Sequence, residues 1–141
     1  IGPKVLRKGN DLTVVASGYS TSLALKAINK YYEIDKSVSI ELIDLRVLNP
    51  IKPELIFKSV SKTGRLICID GSWSSCGISS EILALVSEKN VRSLKIEPKR
   101  LCLPNCPAPT SSSLEFGYYT KLEDVLLLFK QIFNDNWNWT S

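Results

Sequence analysis

Asp70 closes an apolar run over residues 66–69 and is followed by Gly71-Ser72-Trp73-Ser74-Ser75-Cys76-Gly77. An acid at the carboxyl end of a buried strand is the best single group here for a functional role, because ligands and partners of α/β proteins bind at that edge of the sheet. One carboxylate without a partner base, however, supports no particular reaction. The chain contains no histidine, so neither a Ser-His-Asp nor a Cys-His arrangement can be assembled from it. Ser75 and Gly77 match the end of a Gly-x-Ser-x-Gly elbow, but Trp73 stands where the first glycine belongs. Gly18 stands alone after its strand, which rules against a dinucleotide fingerprint, and no Gly-Lys-Ser/Thr phosphate loop is present. With Cys68, Cys76, Cys102 and Cys106 as the only thiols, zinc would need all four, two of them far from the others in sequence. Reduced intracellular cysteines are the plainer reading. No catalytic, cofactor-binding or metal-binding residue is assigned.

Two loops carry what binding chemistry there is. Residues 17–22 and 71–80 place small hydroxyl side chains at helix starts, with Ser20 and Thr21 in the first and Ser72 and Ser74 in the second. Backbone N–H groups at such starts can hold an anion. Capping of their own helices is the plainer reading of these serines. Trp73 reads equally as a loop anchor or as an interface aromatic.

The elements that must carry these loops follow from periodicity. Lys4–Arg7 is a short edge strand ended by a turn at residues 8–11, and Leu12–Ala16 is an apolar, β-branched run expected as a buried strand. A helix follows with Leu23, Ala24, Ala27, Ile28 and Tyr31 on one face. Strand returns over residues 38–45, and Pro53 suits the first turn of a helix through Leu55, Ile56 and Val60. Residues 66–70 are the next strand, 77–88 a helix, and 93–97 a last short strand. Residues 98–113, with four prolines, are expected as an irregular excursion. Thr120 and Glu123 have capping-box spacing ahead of a final helix with Val125, Leu126, Phe129, Ile132 and Phe133 on its apolar face. Residues 134–141 read as a frayed tail in spite of Trp137 and Trp139. Alternating strands and helices point to an α/β fold with a mostly parallel sheet covered on both faces.

Bulk properties agree with one domain over residues 1–141. At 44% hydrophobic and 23% charged the chain is neither disordered nor membrane-spanning. The net charge of +4 is scattered, so neither nucleic acid nor a membrane is expected as a partner. An Ile-Gly-Pro-Lys start without any methionine reads as a piece excised from a longer chain.

Three blocks carry a family resemblance. They are Asp44-Leu45-Arg46-Val47-Leu48-Asn49-Pro50, the stretch from Asp70 through Trp73 and Gly77 to Glu81-Ile82, and Pro107-Ala108-Pro109 with Leu114-Glu115. In this order the chain resembles the C-terminal domain of transketolase-like thiamine diphosphate enzymes, nearest to the β subunit of the E1 component of 2-oxoacid dehydrogenases such as the pyruvate and branched-chain enzymes. Asn105 stands where the family has an acid, Thr110 where it has an aromatic, and Ser79 where it has a glycine. The resemblance implies a three-layer α/β/α sandwich whose five-stranded sheet is parallel except for its first strand. It implies thiamine diphosphate and Mg²⁺ in the whole enzyme, bound outside this domain, and an isolated domain without activity. Implied partners are an E1 α-type subunit or a preceding pyrimidine-binding domain, in a homodimer or α₂β₂ assembly, and the acyltransferase core. Trp73, Pro107, Pro109 and Glu115 are the interface residues this suggests, and a bacterial cytoplasm is preferred to the mitochondrial matrix. Two other readings stay open: a transketolase or deoxyxylulose phosphate synthase C-terminal domain, and a regulatory domain that binds a small anion.

Overall fold

The computed structural model describes residues 2–106, 108, 110–111 and 117–134. Its five strands are β1 (Lys4–Arg7), β2 (Leu12–Ala16), β3 (Ile40–Asp44), β4 (Leu66–Trp73) and β5 (Lys99–Leu103), in the spatial order β1-β3-β2-β4-β5. Four pairings are made, and only β1 with β3 is antiparallel. Helices α1 (Tyr19–Ile34), α2 (Glu54–Thr63), α3 (Ile78–Lys89) and α4 (Leu122–Phe133) cover the two faces. The expected sandwich with an odd first strand is what the chain forms.

Alternation along the central strands divides the core. Val14 of β2 joins Leu42, Ile67 and Ile69 beneath α1 and α4, where Phe129 is fully buried against Tyr31 in an edge-on contact at 5.7 Å. Val15, the next residue, joins Ile43, Cys68, Val60 and Ile82 beneath α2 and α3. Successive side chains of a strand point to opposite faces, so a run buried on both sides marks a strand central in the sheet. Polar contacts fix α2 as well. Thr13 Oγ1 lies 2.7 Å from the hydroxyls of both Ser59 and Thr63, and Lys62 Nζ donates to the buried Glu41 at 2.6 Å. Burial pushes the Glu41 carboxyl up, but Lys62, Ser59 and the Gly9 N–H together hold it below its ordinary value.

Three expectations need correction. Residues 93–97 are not the last strand: Val91–Ser93 is a single 3₁₀ turn, and the strand is Lys99–Leu103, within the stretch read as irregular. None of its residues is fully buried, so it lacks the apolar signature of an inner strand, and Pro98 sits just outside it where no ladder N–H is needed. The start of α4 lies one residue later than Thr120 and Glu123 suggest: the Asp124 carboxylate accepts the Lys121 N–H at 2.8 Å. Finally, β4 runs on past Asp70 to Trp73, with a register irregularity between Ile69 and Trp73 where it pairs with β5.

Candidate functional site

The chain leaves β2 through α1 to reach β3 on one side, then crosses through α2 to β4 on the other. Between the carboxyl ends of β2 and β4 the winding reverses, and the connections there diverge to leave a crevice. A cavity of about 580 Å³ occupies it, lined by Ser17, Tyr19 and Ser20 from the first connection and by Asp70, Gly71, Ser72 and Cys76 from the second. Leu23, Leu48, Ile78 and Leu103 supply apolar wall.

Asp70 organises the second connection. It is 5% exposed, its Oδ1 accepts the Ser72 N–H and its Oδ2 the Ser79 N–H, each at 2.9 Å. The second of these bonds satisfies a first-turn amide of α3, so the strand acid serves as the anion of that helix N-terminus. Gly77 permits the fold-back. A Cβ there would stand 2.4 Å from the Trp73 carbonyl oxygen and 2.8 Å from Asp70 Oδ2.

The four hydroxyl residues read together from sequence separate in space. Ser20 and Ser72 line the cavity. Thr21, one residue on and about 100° around the helix, turns away to donate to Asp44 Oδ1 at 3.4 Å. Ser74 also points elsewhere, donating to Asn105 Oδ1 at 3.0 Å. Asn105, which sequence reasoning noticed only as a departure, clamps this loop: its Oδ1 also accepts the Ser75 N–H and its Nδ2 donates to Ser75 Oγ. A carboxylate could not make the last of these bonds as donor.

Trp73 is 49% exposed, and its ring is fixed in place. Its indole N–H donates to the Tyr118 hydroxyl at 2.9 Å, and that hydroxyl donates to the Cys106 carbonyl at 2.9 Å. Leu48, Tyr19 and Tyr119 are also exposed at this end of the sheet, the last two at 80% and 45%. Pro107, Pro109 and Glu115 lie outside the described residues, as do Trp137 and Trp139. Among the described residues no group of three or more His, Cys, Asp or Glu could hold a metal ion, and no helix is long and apolar enough to cross a membrane.

Residues 3–125 match the family model of the transketolase C-terminal domain. The β subunit of acetoin:2,6-dichlorophenolindophenol oxidoreductase from Bacillus subtilis is 38% identical over 114 residues, covering 81% of this chain and 33% of the relative. The mitochondrial pyruvate dehydrogenase E1 component subunit β of Dictyostelium discoideum is 30% identical over 133 residues, covering 94% of this chain and 37% of the relative. The chain thus spans about a third of the length of such relatives. Among solved structures, a split-gene transketolase described as an inactive β4 tetramer superposes with a TM-score of 0.76 at 23% identity, covering 92% of this chain and 41% of that one. The fold and the span of the match agree, and the chain belongs to the transketolase C-terminal domain family, among relatives that include the E1 β subunits of 2-oxoacid dehydrogenases.

Proposed function

We propose that this chain is the assembly domain of an E1 β-type subunit in a thiamine diphosphate-dependent 2-oxoacid dehydrogenase, itself without catalytic residues. The observation that carries the reading is the half-exposed, hydrogen-bonded Trp73, with Tyr19, Leu48 and Tyr119 exposed at the same end of the sheet. Large aromatic side chains held in one conformation are the groups that dominate protein interfaces. The partner supported by the relatives is an E1 α-type subunit in an α/β assembly, with a second β-type subunit and the acyltransferase core as further contacts.

The crevice does not fit a diphosphate with its metal. Among the described residues neither lysine nor arginine lines it, and the one acid that does, Asp70, has both oxygens engaged by backbone N–H groups. In this reading thiamine diphosphate and Mg²⁺ are held elsewhere in the whole enzyme, and no chemical step is assigned to these residues. Four free cysteines support an intracellular setting, for which we propose a bacterial cytoplasm.

The test is Trp73→Ala in the full natural chain, mixed with its partner subunit and followed by sedimentation velocity. Loss of an interface anchor of this kind raises the dissociation constant by about thirtyfold, or about 2 kcal/mol. A parallel thermal melt of the variant should change little, since half the ring is already in solvent. Unaltered assembly in Trp73→Ala and in Glu115→Ala would sink the proposal.

A further inference from the structure

The α1 N-terminus opens on the crevice without an anion of its own. It has no acidic residue in its first turn and no side-chain cap on Gly18. Among the described residues the Thr21 N–H bonds back to the Gly18 carbonyl at 3.1 Å, and no side chain caps the amides before it. A second observation points the same way. Ser20 is 8% exposed and lines the cavity, and among the described residues its hydroxyl makes no hydrogen bond. It stands beside Gly71, where an added Cβ would approach its Oγ to 3.9 Å. The residue is buried but its oxygen is not: Oγ stays open to the cavity, where it can meet a ligand.

We propose that this cavity binds a small organic monocarboxylate. Its carboxylate meets the α1 N-terminus and the Ser20 hydroxyl, and its short apolar body lies against Leu23, Leu48, Ile78 and Leu103. A single negative charge matches what the site offers. One helix end supplies about half a positive charge, no cation among the described residues lines the cavity, and Asp70 on the opposite wall would repel a phosphate dianion. At α3 the group filling the equivalent position is itself a carboxylate. A volume of about 580 Å³ lies within the range of small-molecule sites.

The cavity shares Tyr19, Leu48 and Tyr119 with the proposed assembly surface, so its test is read both with and without the partner subunit. Cys76 lines the cavity and is exposed, Cys106 is exposed but does not line it, and Cys68 is buried, its thiol pushed up by burial. The experiment follows alkylation of each cysteine by peptide mass spectrometry in the full natural chain, with and without its partner subunit, under increasing isobutyrate. The expected result is slower alkylation of Cys76 by about fivefold or more at saturation, with Cys106 unchanged. Ser20→Ala should raise the half-protecting concentration by about tenfold, the value of a hydrogen bond to a charged group. Equal protection by isobutanol, protection by inorganic phosphate instead, or an unshifted Ser20→Ala curve would each overturn the proposal. So would a Cys76 already shielded by the partner subunit without added acid, because the cavity would then belong to the subunit contact. Failure here leaves the Trp73→Ala result untouched, so the two readings fall separately.

Discussion

Helices α1 and α3 begin alike, each behind a glycine at the carboxyl end of a parallel strand, and neither glycine offers a capping side chain. Their N-termini are nonetheless in opposite states. At α3 the strand acid Asp70 fills the first turn, and Gly77 lets the loop close tightly enough for the carboxylate to reach. At α1 the parallel register sets Ala16 beside Ile69, so Ser17 holds on β2 the place that Asp70 holds on β4. One residue type at matched positions decides whether a helix end is consumed by the fold or left for something else. The anion of a helix N-terminus is an internal part when it comes from the strand; where the strand ends in a hydroxyl, the fold itself supplies none.

The largest effect that tests this comparison is expected from Asp70→Ala. Two backbone N–H groups would lose a charged acceptor in a buried position, and Ser79, fully buried, cannot turn its amide to water. Bonds to charged groups contribute about 1.5–3 kcal/mol each, so a loss of about 3 kcal/mol is expected in urea denaturation. A loss below about 1 kcal/mol would mean that the α3 end is not closed by this acid, and the contrast with α1 would dissolve.

The parts of this contrast were legible in the residues, but the contrast itself was not, and for physical reasons. Asp70 stands out because it interrupts an apolar run, and the buried face of α1 follows directly from the spacing of Leu23, Ala24, Ala27, Ile28 and Tyr31. What sequence cannot give is rotation and fold-back. Ser20 and Thr21 look equivalent until the helix turns one toward the cavity and the other toward Asp44. Ser72 and Ser74 part because the loop after β4 is tied to Asn105, thirty residues on, by bonds that leave no local signal. The edge strand β5 was hidden for a related reason. Its Lys-Arg-Leu-Cys-Leu run is specified by pairing with β4 and not by its own burial.

A smaller effect is expected at the open end from Gly18→Ala. Gly18 has φ 58° and ψ −130°, a conformation open to glycine and costly for any residue with a Cβ, although among the described residues no atom beyond its chain neighbours lies within 4 Å of where that Cβ would stand. Strain alone therefore acts, and it amounts to about 1–3 kcal/mol. The expected loss by thermal denaturation is about 1.5 kcal/mol, half that of Asp70→Ala. A greater loss than at Asp70 would place the more demanding turn at α1 and reverse the order of the two ends.

The smallest effect in stability is the sharpest for the comparison. Ser17→Asp sets an acid on β2 level with Asp70 on β4, within the cavity wall and next to the uncapped first turn of α1. An acid near a helix N-terminus is worth about 0.3–1 kcal/mol, offset in part by repulsion from Asp70 across the crevice. A net gain of about 0.5 kcal/mol in urea denaturation is expected. The same substitution should abolish protection of Cys76 by isobutyrate, because the strand would then supply the anion that the open end lacks. Stabilisation with protection intact would mean that the carboxylate seat lies away from the α1 N-terminus. Protection lost without any gain in stability would mean that the new acid repels the ligand without capping the helix, and the equivalence of the two strand ends would fail.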